Sequence, residues 1–177
     1  MSDSNKNTVF DAIYILNDIL DSLVAGTMVF DGYQKKYELG TFSQQGIVAV
    51  QKMCVSHLIL ALSKIVEFWK HYHQHIPEEL RPEIKAVVSK LKSRDIQHYR
   101  NTVVAHIRDK KLNRARTQFE AIELLNRISD ENPRAFLAWI NSQNEYVYPK
   151  TVASIVETLR DNLRMEHRIS ASDVFDR

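Results

Sequence analysis

An arginine, an asparagine and a histidine lie close together in the segment RDIQHYRNTVVAHIRDKK, from Arg94 to Lys111. These residues are Arg100, Asn101 and His106. A guanidinium group binds two phosphate oxygens at once and stays charged at any working pH. Imidazole has a reference pKa of about 6.5, so it can transfer protons near neutral pH. These residue types predict phosphoryl chemistry, with Arg100 as phosphate clamp, His106 as general acid or base and Asn101 as an orienting hydrogen-bonding group.

Each of the three residues also has a structural interpretation. Arg100 could form an ion pair with a carboxylate such as Glu67 or Asp95. His106 follows an apolar run and could be a core histidine that donates to a backbone carbonyl. Asn101 could cap or kink a helix, which is compatible with a functional role. Residue types and spacing leave both interpretations open.

The motif resembles the signature of the HEPN superfamily, in which an arginine is followed at a short interval by a histidine, often with a polar residue after the arginine. The longer string YRN, AH and DK between Tyr99 and Lys110 looks most like the abortive-infection branch of bacterial HEPN proteins. The resemblance implies a ribonuclease of toxin–antitoxin or phage-defence systems. Such an enzyme needs no metal or cofactor and cleaves RNA by 2′-hydroxyl attack, leaving a 2′,3′-cyclic phosphate.

The spacing of Arg100 and His106 bears on how a site could be assembled. On a straight α-helix, six residues place these side chains about 120° apart around the axis and about 9 Å apart along it. That geometry favours a cleft shared between the subunits of a two-fold dimer. The resemblance likewise implies a homodimer, and it adds a cognate antitoxin as a partner. Toxins silenced by a nucleotidyltransferase antitoxin carry a tyrosine two residues after the histidine, whereas Arg108 occupies that position here.

Several cationic or protonatable residues surround the motif. They could steer a phosphate backbone towards the cleft, or they could be a solvated face, the commonest fate of a run of charges. The candidate RNA-binding residues are Arg94, His98, Arg108, Lys110, Lys111 and Arg114.

Two other function classes remain open. One is a non-catalytic HEPN module that binds RNA, a nucleotide or a protein partner, and the other is a helical interaction domain with no role on nucleic acids. A metal site is a further alternative, because His71, His73 and His75 alternate along the chain and imidazole suits transition metals. Histidines at a wet helix end explain the same pattern, and no cysteine or compact acidic set completes a site.

Composition predicts an all-α protein with a single domain over residues 1–177 and loose termini at 1–7 and 170–177. The chain has 177 residues with only four glycines and four prolines. A net charge of +2 is too small to indicate a nucleic-acid partner by itself. The lone cysteine, Cys54, lies in an apolar run and predicts a buried thiol. No apolar stretch approaches the roughly 20 residues that a membrane span needs, and the polar start MSDSNKN is not a signal peptide, so a cytoplasmic location without membrane association is expected.

Apolar spacing predicts an up-and-down bundle of four to five helices. The first helix runs from Val9 to about Phe30 and is followed by a polar connection. The second begins after Ser43, and Arg81-Pro82 opens the third, which is bent or divided, with the motif on its second part. Further helices follow over 119–128, after Asn132-Pro133 and after Pro149.

Overall fold

The protein is all-α, as its composition predicts. A computed structural model describes residues 3–104, 109, 112–142, 144–145 and 147–170, with side chains from residue 7 onward. Within those ranges no strand is present, and a single isolated bridge joins Asp109 to Arg114. The helices are α1 (Asp3–Glu38), α2 (Gln44–Tyr72), α3 (Arg81–Ser93), α4 (Ile96–Tyr99), α5 (Gln118–Ile128), α6 (Pro133–Ile140) and α7 (Val152–His167).

α1 is longer than the sequence predicts at both ends. It begins at Asp3, inside the expected loose terminus, and continues through Gly32 to Glu38, where a polar connection was expected. A glycine inside a helix costs only about 1 kcal/mol, which tertiary packing can offset. Here α1 packs along α2, and Tyr33 contacts Phe42 edge-on with ring centroids 4.9 Å apart. α1 ends at Glu38, and Gly40, two residues later, adopts a positive φ of 70°.

α2 begins as predicted, and its predicted apolar stripe lies in the core. The Ser43 hydroxyl accepts a hydrogen bond from the backbone N–H of Gly46 at 3.1 Å, which caps the helix. Cys54 is among the buried members of the stripe, and α2 packs against α1 and α3. Met53 and Leu60, which broaden the stripe, are exposed instead. α2 is therefore a core helix with an apolar edge that the described part of the chain leaves uncovered.

The predicted division of the third helix is confirmed. α3 ends at Ser93, and Asp95 adopts the left-handed conformation with φ 56° before α4 begins at Ile96. Ile96 and Tyr99 are buried and hold α4 against the core, and burial raises the pKa of the Tyr99 hydroxyl. The chain then changes helix type, because Arg100–Val104 forms a π-helical turn. That turn carries the first half of the predicted motif.

The C-terminal part of the fold closes over α1. Thr117 and Glu120 form a capping box at the start of α5, and Asn132 caps α6, whose first residue is Pro133. The Asn141 amide after α6 donates to the buried Thr27 hydroxyl of α1 at 2.8 Å. α7 packs along α1 and against α3, so the core lies between α1, α2, α3 and α7. Residues 171–177 of the predicted loose terminus lie outside the described residues.

Two stretches, Asn7–Glu38 and Gln44–His75, are long and apolar enough to cross a membrane by length and composition alone. Core helices of soluble proteins pass the same test. Both helices place their buried side chains against other helices of the fold. These two helices therefore give no positive indication of where the protein is located.

Candidate functional site

The π-helical turn Arg100–Val104 positions the arginine and asparagine of the motif. Such turns are rare and occur frequently at functional sites, because they change the direction of side chains relative to a regular α-helix. Thr102 steadies the turn by donating from its hydroxyl to the carbonyl of His98 at 2.8 Å. The straight α-helix assumed for the spacing of Arg100 and His106 is therefore wrong for this segment.

Arg100 lies at the surface beside two polar groups. Its Nη1 is 3.7 Å from Oε1 of Glu67 on α2 and donates to Oδ1 of Asn101 at 3.2 Å. The Arg100 side chain is 37% exposed and that of Glu67 is 49% exposed. An exposed ion pair of this length contributes little to stability, since its median worth is about 0–1 kcal/mol. A phosphate could replace or join the carboxylate without exposing a buried charge.

Asn101 is exposed, and its side-chain oxygen faces the guanidinium of Arg100. Such a contact is compatible with the orienting role predicted for Asn101, and that role stays a prediction. The pairing of Arg100 with Glu67 is also one of the alternatives that the sequence leaves open. Both interpretations of Arg100 therefore share one geometry, and they differ in whether the guanidinium leaves Glu67 for a ligand.

Four of the predicted site residues, His106, Arg108, Lys110 and Lys111, lie outside the described residues. The predicted acid–base role of His106 and the predicted RNA contacts of the other three stay predictions.

The Arg94 side chain has a structural role, because its guanidinium group is engaged in contacts within the fold. Its side chain is only 10% exposed and forms an ion pair with Asp130. Its guanidinium also lies over the rings of Phe136 and Trp139, at 5.3 and 5.1 Å from their centroids. These contacts join the end of α3 to α6 and to the turn before it. Arg94 is therefore left out of the proposed RNA site.

The other described candidates differ from Arg94 and from one another. Arg114 makes a two-pronged contact with Glu120, at 2.7 and 2.9 Å, and its pKa is raised by that hydrogen bond and charge. Its side chain is half exposed. His98 is half-buried beside the π-helical turn. Neither residue shares a described contact with Arg100, so the described geometry brings only Arg100 and Asn101 together.

A buried ion pair that the sequence did not single out anchors the chain after the motif. Asp109 is 1% exposed, and its Oδ2 lies 2.6 Å from Nη2 of Arg116. Its Oδ1 accepts from the backbone N–H of Leu112 at 3.2 Å, and its own N–H donates to the carbonyl of Arg114. A buried carboxylate needs such partners. In the sequence Asp109 belongs to the DK string of the family resemblance, and no local pattern predicts that it is buried beside Arg116.

The three alternating histidines do not converge on a metal site. Among residues 7–104, 109, 112–142, 144–145 and 147–170, no group of three His, Cys, Asp or Glu side chains could hold a metal ion. The ring nitrogen Nδ1 of His73 is 3.0 Å from the carbonyl of Trp69, and its ring packs on the Trp69 ring. This arrangement is that of a helix end.

Comparisons with known proteins give the fold a precedent. No family model matches the chain. No curated protein matches it either. Among solved structures, an integron cassette protein from the mobile metagenome of V. paracholerae is similar, with a TM-score of 0.77 and 23% sequence identity. The match covers 92% of this chain and 98% of that protein, so the two share a fold along nearly their whole length.

Proposed function

We propose that the protein is a metal-independent endoribonuclease of the HEPN type, with Arg100, Asn101 and His106 as its catalytic residues. The observation that carries the proposal is the placement of Arg100. A half-exposed guanidinium, oriented by Asn101 and loosely paired with Glu67, lies on a π-helical turn at the start of the motif. An arginine so placed can bind two oxygens of a scissile phosphate and stabilise the charge of the transition state.

The reaction follows from the chemistry of the three side chains. One histidine takes the proton from the 2′-hydroxyl, the hydroxyl oxygen attacks the adjacent phosphorus, and the 5′-oxygen leaves with a proton. Arg100 stabilises the extra negative charge on the phosphorane, and Asn101 keeps the guanidinium in place. The products are a 2′,3′-cyclic phosphate and a 5′-hydroxyl. Arg108, Lys110 and Lys111 supply sequence-independent attraction to the RNA backbone in this proposal.

The proposal includes a two-fold homodimer in which the two motifs share a cleft. Such a dimer supplies a second histidine, so that one accepts the proton while the other donates. The exposed apolar side chains of Met53 and Leu60, seven residues apart on one side of α2, support it as a surface that a second copy could cover. A bundle of HEPN topology, a cytoplasmic location, a cognate antitoxin and a role in toxin–antitoxin or phage-defence systems belong to the same proposal and rest on the family resemblance.

The test is cleavage of RNA by the purified protein in excess EDTA. Wild-type protein is expected to cut RNA and to leave cyclic phosphate ends. His106→Ala is expected to lower the rate by roughly 10²- to 10⁴-fold, the usual worth of acid–base help. His57→Ala, at an exposed histidine of α2, serves as the matched control. Undiminished cleavage by His106→Ala would rule out the assigned role.

RNA binding with no cleavage under any condition would instead identify a non-catalytic binding module. A purely structural Arg100 predicts a third outcome, in which Arg100→Ala alters neither binding nor cleavage.

A further inference from the structure

An open groove runs between α1 and α2 next to Arg100. Its volume is about 510 Å³, within the range of roughly 300–1,000 Å³ typical of small-ligand sites. Tyr14 and Asp18 line it from α1, and Lys64, Glu67 and Tyr72 line it from α2. Glu67 is also the carboxylate 3.7 Å from Arg100, so the groove and the proposed phosphate clamp share a residue.

Aromatic rings form one part of the groove. Tyr14 on α1 is 61% exposed. Across the groove, the half-buried Tyr72 stacks on the buried Phe68 with centroids 5.1 Å apart, so Tyr14 offers the more exposed ring. Exposed aromatic faces bind the flat faces of nucleobases, and each such contact weighs heavily in single-strand binding.

Paired charges form the other part. Lys64 forms an ion pair with Asp18, and Arg100 lies near Glu67, so each carboxylate in the groove has a cation beside it. The groove itself therefore has little net charge to attract a phosphate chain. Its carboxylate and ammonium groups can instead accept from and donate to the polar edge of a base.

We infer that the α1–α2 groove holds one unpaired nucleobase of a single-stranded RNA, placed next to the phosphate that Arg100 binds. The inference rests on the proposed function, since it names the form of RNA that the same site takes. Bases in a duplex are stacked and paired, so their faces cannot reach Tyr14. The protein then selects unpaired RNA by stacking and binds its backbone by charge.

The experiment measures binding of a fluorescein-labelled, 2′-O-methyl single-stranded RNA of roughly 12 nucleotides, a length that fits common site sizes. The 2′-O-methyl groups prevent cleavage by removing the nucleophile. Anisotropy titrations are run at several salt concentrations with wild type, Tyr14→Ala and Tyr14→Phe. Tyr37→Ala, at another half-exposed tyrosine of α1, is the matched control, and a duplex of the same sequence is the second probe.

Tyr14→Ala is expected to weaken single-strand binding by about 5- to 150-fold, the worth of one stacked base. The slope of log K against log salt should stay unchanged, whereas Arg100→Ala should reduce it by about 0.7 per lost phosphate contact. Tyr14→Phe should bind like wild type, because it keeps the ring. Wild-type binding by Tyr14→Ala, an equal loss in Tyr37→Ala, equal wild-type affinity for the duplex, or no RNA binding by wild type would each overturn the inference.

Failure of the inference and failure of the nuclease proposal give different results. Binding that depends on Tyr14, without cleavage of ordinary RNA, would contradict the nuclease proposal and support the nucleobase site. Cleavage that depends on His106, with unchanged binding by Tyr14→Ala, would support the nuclease proposal and contradict the nucleobase site.

Discussion

Arg94 and Arg100 are six residues apart in one charged segment, yet their surroundings differ completely. Arg94 is 10% exposed, pairs with Asp130 and lies over two aromatic rings. Arg100 is 37% exposed and has a 3.7 Å contact with a half-exposed carboxylate. The first guanidinium stabilises the packing of α6 on α3, whereas the second can exchange its partner. Arg94 and Arg100 therefore do not belong to one binding surface, although they lie in the same charged segment of the sequence.

The largest effect on stability that the comparison predicts is at Arg94. Arg94→Ala removes an ion pair and two ring contacts, and also the apolar packing of the side-chain stem. We expect the free energy of unfolding to fall by about 1–3 kcal/mol, measured by urea denaturation. Arg127→Ala, at an exposed arginine of α5, is the control and should change it by less than about 0.5 kcal/mol. An equal change in the free energy of unfolding for the two variants would show that Arg94 contributes no more to stability than a surface arginine.

A smaller effect is expected at the Arg114–Glu120 contact. The hydrogen bond from Arg114, followed by that from the backbone of Thr117, lowers the pKa of Glu120 from 4.5 to about 2. A carboxyl group with a lowered folded-state pKa contributes stability that is complete above its unfolded pKa and is lost as the pH falls through its folded pKa. The contribution of Glu120 should therefore disappear between about pH 4.5 and pH 2.

The measurement compares urea midpoints of wild type and Glu120→Gln across that window. The difference between them should be constant above about pH 5 and should shrink as the pH approaches 2. Glu123→Gln, at an exposed glutamate of the same helix, controls for removal of a charge. A difference that does not change with pH would show that the contact with Arg114 does not lower the pKa of Glu120 in the folded protein.

Local signals in the sequence predicted much of the fold. The apolar stripes, the Ser43 cap, the prolines at the starts of α3 and α6, and the polar break before Ile96 all act within a few residues. The helix starts and buried faces that these signals predict depend little on distant parts of the chain. The length of α1 was not predicted, because Gly32 looks like a turn residue until α2 packs along the same helix.

The candidate site could be predicted only in part, because it also depends on contacts between distant parts of the chain. Arg94 finds Asp130, Phe136 and Trp139 more than thirty residues further along, so no local pattern shows that its charge is used internally. The π-helical turn was also missed, since apolar spacing over five residues does not separate it from an α-helix. The α1–α2 groove depends on how two long helices align, which their separate stripes do not specify.

The central claim is that Arg100 acts on the RNA phosphate, and one measurement tests it most directly. Single-turnover cleavage of a labelled RNA in EDTA is compared between wild type and Arg100→Ala, both shown to be folded by their urea midpoints. Because the described contacts of Arg100 are an exposed ion pair with Glu67 and a hydrogen bond to the exposed Asn101, its loss should change the free energy of unfolding by less than about 1 kcal/mol. The cleavage rate should nevertheless fall by roughly 10²-fold or more, the usual loss when a group that stabilises transition-state charge is removed. Cleavage by folded Arg100→Ala at the wild-type rate would contradict the account.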